Sequence, residues 1–183
     1  MVTAGTVQAD VTGTFSAMSA QVILQARNTS TSPWYTVAAQ TFHESRYRYE
    51  LGLAGSRQYR VLVASVQEEP WAYFAGYSQV GAMTVQMNGW SSLTENSGRR
   101  GQTVRTHLQV RPKIDVKVRL ERWNGKTWTT VGPVQVDDGN GYAYLKGVTP
   151  GRVAYRYYIP SGWIKGMWYA AKYTPNFFVT TVA

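Results

Sequence analysis

Alternation of apolar and polar residues is the dominant pattern in this chain. In "TVQADVTGTF" the apolar Val7, Ala9 and Val11 alternate with polar residues, and "DVKVRLERW" repeats the pattern from Val116. A period of two places successive side chains on opposite faces of a strand, so one face of each segment is predicted to lie in a core. No window of useful length has the period of an amphipathic helix. The pattern therefore predicts an all-β protein built of short strands.

Turn residues separate these segments at regular intervals. "NG" at Asn124, "DGNG" at Asp138 and "TPG" at Thr149 contain the residues that tight reversals favour. Thr, Val, Tyr and Trp are frequent between the turns, as half-buried pleated surfaces prefer. Many short strands at this spacing predict antiparallel β-sandwiches.

The chain also repeats itself. "LQARNTSTSPWYTVAAQTFHESRYRYEL" begins at Leu24 and "LERWNGKTWTTVGPVQVDDGNGYAYL" begins at Leu120, an offset of 96. Trp34 and Trp128 are offset by 94, and both are predicted to fill cores as mid-strand tryptophans. A nearly constant offset is typical of two tandem domains. We predict domain 1 at residues 1–92, a linker at 93–99 within "SLTENSGRRG", and domain 2 at 100–183.

A shared motif accompanies the repeat. It reads "V-x-L-x-R … W-x-T-V … G-x-Y … Y-R", and the second copy carries it most completely, at Val118, Leu120, Arg122, Trp128, Thr130, Val131, Gly141, Tyr142, Tyr155 and Arg156. The first copy carries it at Val22, Leu24, Trp34, Thr36, Val37, Tyr47, Tyr59 and Arg60, and "HESRY" replaces its glycine-containing turn.

This motif resembles the tandem immunoglobulin-like repeat modules of secreted and cell-surface actinobacterial proteins. The resemblance implies two immunoglobulin-like or fibronectin III-like β-sandwich domains and an extracellular or cell-surface location. It also implies a spacer, adhesion or binding role, because fold signatures identify architecture better than activity.

Charge is unequally divided between the two copies. Residues 1–97 contain five Lys or Arg against six Asp or Glu, whereas residues 98–183 contain fourteen against four. Alternation places Arg105 and Arg111 outside the core on one strand and Lys117 and Arg119 outside it on the next. Adjacent pairing of the two strands would form a basic face that could hold a polyanion. The alternative is a solvated surface, and nucleic acid is not expected because no nucleic-acid motif is present.

Aromatic residues form the second candidate site. "SVQEEPWAYFAGYS" and "SGWIKGMWYAAKYT" follow the Tyr-Arg strand of each copy, where a sandwich connects its last two strands. Rings there can stack on sugars or contact a partner protein, and the alternative is that their tyrosines pack in the core. The candidate ligand-binding residues are Trp163, Trp168, Tyr169, Lys165, Lys172, Trp71 and Phe74.

The sequence offers little for catalysis. His43 and His107 are the only histidines, and "HES" at 43–45 places neighbours on an extended chain that point apart. Asp137 and Asp138 are adjacent on a turn, so they cannot flank a scissile bond, and "DDGNG" lacks the spaced ligands of an EF-hand. We predict no enzyme activity, no metal and no cofactor.

Composition limits the setting further. The chain contains no cysteine, so its fold depends on packed cores, and it contains no apolar run that could insert in a membrane. The partners that remain are a cell-envelope polymer, acidic or carbohydrate, and a protein. The first predicts a binding or adhesion module, and the second predicts a spacer or assembly module of a larger secreted protein.

Overall fold

The computed structural model describes residues 2–3, 8–52, 55–95, 97–147 and 150–183. The described residues form strands and turns and contain no helix, so the all-β prediction is confirmed. Two compact units are present: unit 1 contains residues 8–85 with Lys165–Trp168, and unit 2 contains Gln86–Ile164 and Tyr169–Ala183. The predicted domain bounds stay a prediction.

The strands that precede residue 86 or begin just before it are β1 (Val2–Thr3), β2 (Gln8–Thr14), β3 (Ser19–Arg27), β4 (Tyr35–His43), β5 (Arg46–Gly52), β6 (Arg57–Val63), β7 (Val66–Glu68), β8 (Trp71–Tyr73), β9 (Gly76–Tyr77), β10 (Gly81–Met83) and β11 (Val85–Gln86). One sheet has the order β10-β6-β3-β4, with β9 also on β6, and a second sheet pairs β2 with β5. Both sheets contribute to one apolar core, which is formed by Val22, Leu24, Ala26, Tyr49, Leu51, Tyr59 and Val61.

The remaining strands are β12 (Asn88–Leu93), β13 (Ser97–Arg99), β14 (Thr103–Arg111), β15 (Val116–Trp123), β16 (Trp128–Asp137), β17 (Asn140–Lys146), β18 (Gly151–Ile159), β19 (Gly162–Ile164), β20 (Met167–Tyr169), β21 (Lys172–Tyr173) and β22 (Phe177–Val182). Nine of them form one sheet in the order β12-β14-β17-β16-β15-β18-β22-β13, with β21 also on β18. The segment predicted to be a linker contains β13, which pairs in parallel with β22.

Strand pairing repeats between the two copies. The pair β3–β4 corresponds to β15–β16, the pair β3–β6 to β15–β18, and the pair β2–β5 to β14–β17. Even the bulges correspond, since the register shifts after Leu24 in the first copy and after Leu120 in the second. The sequence repeat is therefore a repeat of strands, registers and irregularities.

The turn between β4 and β5 has the same form as the turn between β16 and β17, although the two sequences differ. Glu44 and Ser45 have φ angles of 61° and 58°, and Asp138 and Gly139 have φ angles of 44° and 77°. Two successive positive φ angles are the mark of a type I′ hairpin turn. "HESRY" therefore adopts the same turn as "DDGNG" without a glycine, because Ser45 donates a hydrogen bond from Oγ to the Ala17 carbonyl oxygen at 2.7 Å.

Candidate functional site

The outer face of β12, β14 and β17 in unit 2 carries the most distinctive set of exposed side chains. In the registers of these strands, His107 lies opposite Ser92 on one side and opposite Tyr142 on the other. Directly opposed residues share a face, so the face is defined by this register. We call it the tyrosine face, and its members are Trp90, Arg105, His107, Arg111, Tyr142, Tyr144 and Lys146.

Local sequence explains why this face is polar and its reverse is apolar. Val104, Leu108 and Val110 alternate with Arg105 and His107 along β14, and all three apolar side chains are buried. Leu145 on β17 is buried in the same way. The period of two therefore turns every arginine, tyrosine and lysine of these strands toward solvent.

The charge of the tyrosine face has one sign. Its three strands contain Arg105, Arg111 and Lys146 and no Asp or Glu. The three cationic side chains are exposed, so they lose little hydration until a ligand covers them. Anions are therefore attracted to this face without competition from a carboxylate on the same strands.

Aromatic rings lie between these cations. Tyr142 stacks on His107 with ring centroids 4.7 Å apart and ring planes 12° apart, and the Arg105 guanidinium lies 5.2 Å from the Tyr142 ring. His107 Nε2 lies 3.1 Å from Oδ1 of Asn140, which orients the imidazole. Tyr144 remains 68% exposed and Trp90 remains 39% exposed. These are flat, partly oriented rings on a sheet surface.

The predicted basic face is not formed as the sequence suggested. Arg105 and Arg111 lie on β14, and Lys117 and Arg119 lie on β15, but β14 pairs with β12 and β17 whereas β15 pairs with β16 and β18. The premise of adjacent strands is wrong, because the chain crosses from one strand to the other instead of turning back in a hairpin. Arg119 is moreover bound to Glu121, with Nη2 and Oε1 2.7 Å apart.

A second arrangement involves stacked arginines and is present in both units. In unit 1 the Arg60 guanidinium lies 4.4 Å from the Trp34 ring and 4.1 Å from the Tyr77 ring. Its Nε donates to Oε1 of Gln25 at 2.8 Å. In unit 2 Arg156 occupies the equivalent place, because it pairs with Glu121 as Arg60 pairs with Gln25.

The unit 2 stack contains an ionised carboxylate. Arg156 lies 4.1 Å from the Trp128 ring and 3.8 Å from the Tyr173 ring, and its Nε donates to Oε2 of Glu121 at 2.9 Å. Arg119 binds the other carboxylate oxygen. Burial alone would raise the pKa of Glu121, but the hydrogen bonds and charges of the two arginines bring this pKa below its ordinary value. Glu121 therefore holds two arginines in place.

The prediction that Trp34 and Trp128 fill the cores is wrong. Both are half-buried on the outer side of a sheet, where they cover Arg60 and Arg156. The reason is the bulge. Leu24 pairs with Ala38 and Gln25 with Thr36, so Val37 is an extra residue that reverses the face of the residues before it.

Trp128→Ala is consequently expected to cost about 1–2 kcal/mol of unfolding free energy, the range for a desolvated cation–π contact with partial burial. A tryptophan in the core would cost about 3–5 kcal/mol. Chemical denaturation of the variant measures the difference, and Trp34→Ala in unit 1 is the matched comparison. A loss above about 3 kcal/mol for both variants would contradict this placement.

The aromatic segments form short hairpins. Trp71 on β8 is 68% exposed, Phe74 is 91% exposed and Trp163 on β19 is 54% exposed. Lys165 is exposed at a φ of 49°, and with Gly166 at 75° it forms a turn like that of Asp138 and Gly139.

The other predicted members of this site are less accessible. Trp168 and Lys172 are half-buried, and Lys172 Nζ donates to Oδ1 of Asn88 at 3.4 Å. Tyr169 is only 2% exposed, so it packs in the core and does not offer a ring face to a ligand. The candidate ligand-binding residues thus divide into exposed rings and interior ones.

Two polar side chains near the hairpin turns have structural partners. Ser45 serves the hairpin turn, and the backbone N–H of Asp138 donates to Oδ1 of Asp115 at 2.7 Å. Within the described part of the chain, no three His, Cys, Asp or Glu side chains converge as metal ligands would. The described residues also contain no helix that is long and apolar enough to cross a membrane.

The tyrosine face was missed by the sequence reasoning, apart from Arg105 and Arg111. Its signal was the alternation "Y-x-Y-x-K" at Tyr142, Tyr144 and Lys146, which placed two rings and a cation on one face of one strand. Comparison with known proteins adds no assignment, because no protein-family model and no curated protein matches the chain.

Proposed function

We propose that the chain is a non-catalytic extracellular or cell-surface binding and adhesion module, built of two immunoglobulin-like β-sandwiches, that holds an acidic carbohydrate polymer of a cell envelope. The observation that supports this most is the tyrosine face, which combines exposed rings with cations and has no carboxylate on its strands. An extended polymer can lie along the exposed side chains of a sheet surface, so no deep pocket is required.

The proposed contacts follow from the chemistry of such a polymer. A pyranose ring has an apolar face of C–H groups that packs on Tyr142 or Tyr144 with loss of hydration from both. A uronate carboxylate or a phosphodiester of the same polymer accepts charge-assisted hydrogen bonds from Arg105 or Lys146. Two residues along β17 advance by about 6.8 Å, which lets successive sugars meet successive side chains.

Substitution of the tyrosine face tests the proposal. We expect Tyr144→Ala to weaken binding of polygalacturonate by about 1–3 kcal/mol, because an exposed ring in a contact patch carries binding energy without supporting the fold. Arg105→Gln should weaken binding and reduce its salt dependence, since each engaged cation releases counterions from the polymer. Affinity electrophoresis at several salt concentrations measures both effects.

Lys117→Gln is the matched control. Lys117 is an exposed cation of the same unit, but it lies on β15 and not on the tyrosine face. If Lys117→Gln and Arg105→Gln weakened binding equally, net charge alone would be responsible. Neutral dextran as a second polymer distinguishes sugar contact from charge, and failure to bind polygalacturonate at low salt would reject the proposal.

A spacer or protein-assembly role is the second candidate, and one observation in unit 1 favours it. Trp71 and Phe74 are largely exposed on and beside the β7–β8 hairpin, next to the exposed Glu69. Apolar rings beside a carboxylate are suited to a protein surface and poorly suited to an acidic polymer. Under this alternative Phe74→Ser abolishes association with a partner protein, whereas Tyr144→Ala has no effect on it.

A further inference from the structure

Unit 1 contains an open cleft beside its second strand. The cleft has a volume of about 480 Å³, and its lining includes Phe15, Val63, Tyr73, Phe74, Tyr77 and Ser78. None of the described residues that line it is Asp, Glu, Lys or Arg. A cleft of this size, lined by rings and hydroxyl groups, is large enough for one or two apolar side chains.

In the described part of the chain, the strand next to this cleft has one edge without a paired strand. Among the residues that the structure describes, β2 pairs with β5 alone. A second cleft of about 310 Å³ lies further along the same strand, and its lining includes Val11, Thr12, Gly81, Met83 and the cation Arg60. The backbone N–H and C=O groups on this edge of β2 are therefore next to two largely apolar clefts, which share Tyr47, Val61 and Ser78 and which we together call the seam.

In unit 2 the equivalent seam is closed by a strand. The counterpart of β2 is β14, and β14 pairs with β12 on the edge that β2 leaves free. Gly89 of β12 packs so closely on the interior that a Cβ there would lie 2.5 Å from Cδ1 of Ile159 and 3.2 Å from Cγ2 of Thr174. In unit 2, β12 thus covers the seam.

The residues beneath Gly89 have direct equivalents in the unit 1 cleft. The Val61 N–H donates to Ser78 Oγ at 2.9 Å, and the Tyr157 N–H donates to Thr174 Oγ1 at 3.0 Å, so Ser78 corresponds to Thr174. By the same register Val63 corresponds to Ile159, because Val63 pairs with Gly76 and Ile159 pairs with Lys172. The unit 1 cleft is therefore the uncovered form of the seam that β12 closes.

Three side chains beneath the seam are smaller in unit 1 than their counterparts in unit 2. Valine and serine at 63 and 78 replace isoleucine and threonine, and Val61 stands where unit 2 has Tyr157. Tyr157 is fully buried, and this burial raises its pKa to about 12. Each exchange removes volume from the floor of the unit 1 seam, so a covering strand needs a larger side chain than glycine to fill it.

We propose that the seam of unit 1 binds an extended polypeptide segment, which pairs antiparallel with β2 as β12 pairs with β14. The segment inserts an uncharged apolar side chain into the cleft at the position that Gly89 has in β12. Main-chain hydrogen bonds to β2 supply affinity, and the cleft supplies selectivity for the inserted side chain. This site is separate from the tyrosine face and does not depend on the polymer-binding proposal.

Synthetic peptides test the proposal on the full chain. The parent peptide is QMNGWSSLT, the sequence of residues 86–94 that contains β12, with a fluorescein label. A second peptide carries leucine at the position of Gly89. We expect the leucine peptide to bind at least about tenfold more tightly by fluorescence polarisation, because a buried leucine side chain adds roughly that factor or more. The leucine peptide also has no room to replace β12 in unit 2, since the Gly89 position lacks space for a Cβ.

Three controls define the site. A leucine peptide with prolines at the positions of Ser91 and Ser92 should not bind, because one of any two successive N–H groups points to the paired strand. When the leucine peptide is bound, hydrogen exchange should show new protection of backbone amides in β2 and no new protection in β14. The double variant Val63→Ile with Ser78→Thr gives the cleft the side chains that unit 2 has at these positions and so narrows it. Compared with the wild type, we expect the variant to bind the leucine peptide at least about tenfold less tightly and to bind the parent peptide with unchanged affinity.

The outcomes are decisive in both directions. Preference for leucine, protection of β2 and loss of that preference in the double variant support the proposal. No binding of the leucine peptide at about 1 mM, or protection elsewhere than β2, overturns it. If circular dichroism shows that the double variant is unfolded, Val63→Ile alone adds one methylene and provides the same comparison.

Discussion

Gly139→Ala is expected to lower the free energy of unfolding of unit 2 by about 2–5 kcal/mol, the sum of a backbone penalty and an overpacking penalty. Gly139 has a φ of 77°, and a Cβ there would lie 2.7 Å from the Val110 carbonyl oxygen and 3.0 Å from the Lys113 Cα. Both neighbours are backbone atoms, so neither moves out of the way as a flexible side chain does. Chemical denaturation of the variant measures the loss.

Gly101→Ala separates the two penalties. Gly101 lies in the same unit at a φ of 84°, but a Cβ there meets no atom of the described residues within 4 Å. It carries the cost of the left-handed backbone alone, about 1 kcal/mol. Equal losses in Gly101→Ala and Gly139→Ala would show that the close approach of Val110 and Lys113 has no energetic weight, contrary to this account.

The duplicated turn shows why some of the structure could not be derived from sequence. Glycine at 139 predicts a tight hairpin, whereas "HES" predicts none, yet the turns have the same form. In the first copy the Ser45 hydroxyl bonds to Ala17, and in the second the Gly139 N–H bonds to Ile114 at 2.9 Å. A tertiary hydrogen bond thus replaces a backbone preference, and local propensity carries no record of it.

The strands themselves were predictable for a physical reason. One face of each strand is buried, so alternation was retained in both copies, and Val118 and Leu120 of "DVKVRLERW" are almost fully buried as the alternation predicted. Pairing between distant strands was not predictable, because alternation fixes the face of a residue and leaves its neighbour unspecified. This is why Arg105 and Lys117 were grouped on adjacent strands although their strands are not adjacent.

One cross-strand pair illustrates how the two copies diverged without loss of the fold. Gly13 on β2 lies opposite Tyr47 on β5, whereas Leu108 on β14 lies opposite Gly141 on β17. The large residue lies on β5 in the first copy and on β14 in the second, so each copy has one glycine opposite one large side chain. A Cβ on Gly13 would lie 2.8 Å from Cε1 of Tyr47 and would overlap the ring, which explains why a glycine is needed there. Neither sequence alone reveals this exchange.

The arginine stacks account for part of the shared motif that the sequence assigned to the cores. In the "Y-R" of each copy the tyrosine is buried and the arginine points outward, where Trp34 or Trp128 covers it. The motif therefore records an outer-face structure as well as a core. Because a bulge reverses the face of the tryptophan, period-two counting could not place it correctly.

Glu121→Ala is expected to destabilise unit 2 by about 2–4 kcal/mol. Removal of one partner from a buried ion pair costs about 3–5 kcal/mol, and the figure is reduced here because the solvent partly screens Arg119. The Glu121 side chain is 6% exposed, and those of Arg119 and Arg156 are 43% and 20% exposed. Without the carboxylate, Arg156 loses its hydrogen-bond acceptor between two rings. Chemical denaturation at neutral pH measures this loss.

Glu121→Gln is the matched variant, because unit 1 has Gln25 at the equivalent position and Gln25 accepts from Arg60. The amide oxygen keeps one hydrogen bond and gives up the charge, so we expect a loss of about 1–2 kcal/mol, smaller than that of Glu121→Ala. If Glu121→Ala were as stable as the wild type, Glu121 would not be what holds the two arginines.

The dependence of stability on pH provides the second measurement for Glu121. Its pKa in the folded chain is lowered from the ordinary value of 4.5. A carboxyl group with a lowered pKa contributes stability that is fully present above the unfolded pKa and is lost as the pH falls through the folded pKa. The wild type should therefore lose stability below about pH 4.5 more steeply than Glu121→Gln, whose amide does not titrate. Parallel stability curves for the two proteins between neutral pH and the acid range would contradict the proposed pairing of Glu121 with Arg119 and Arg156.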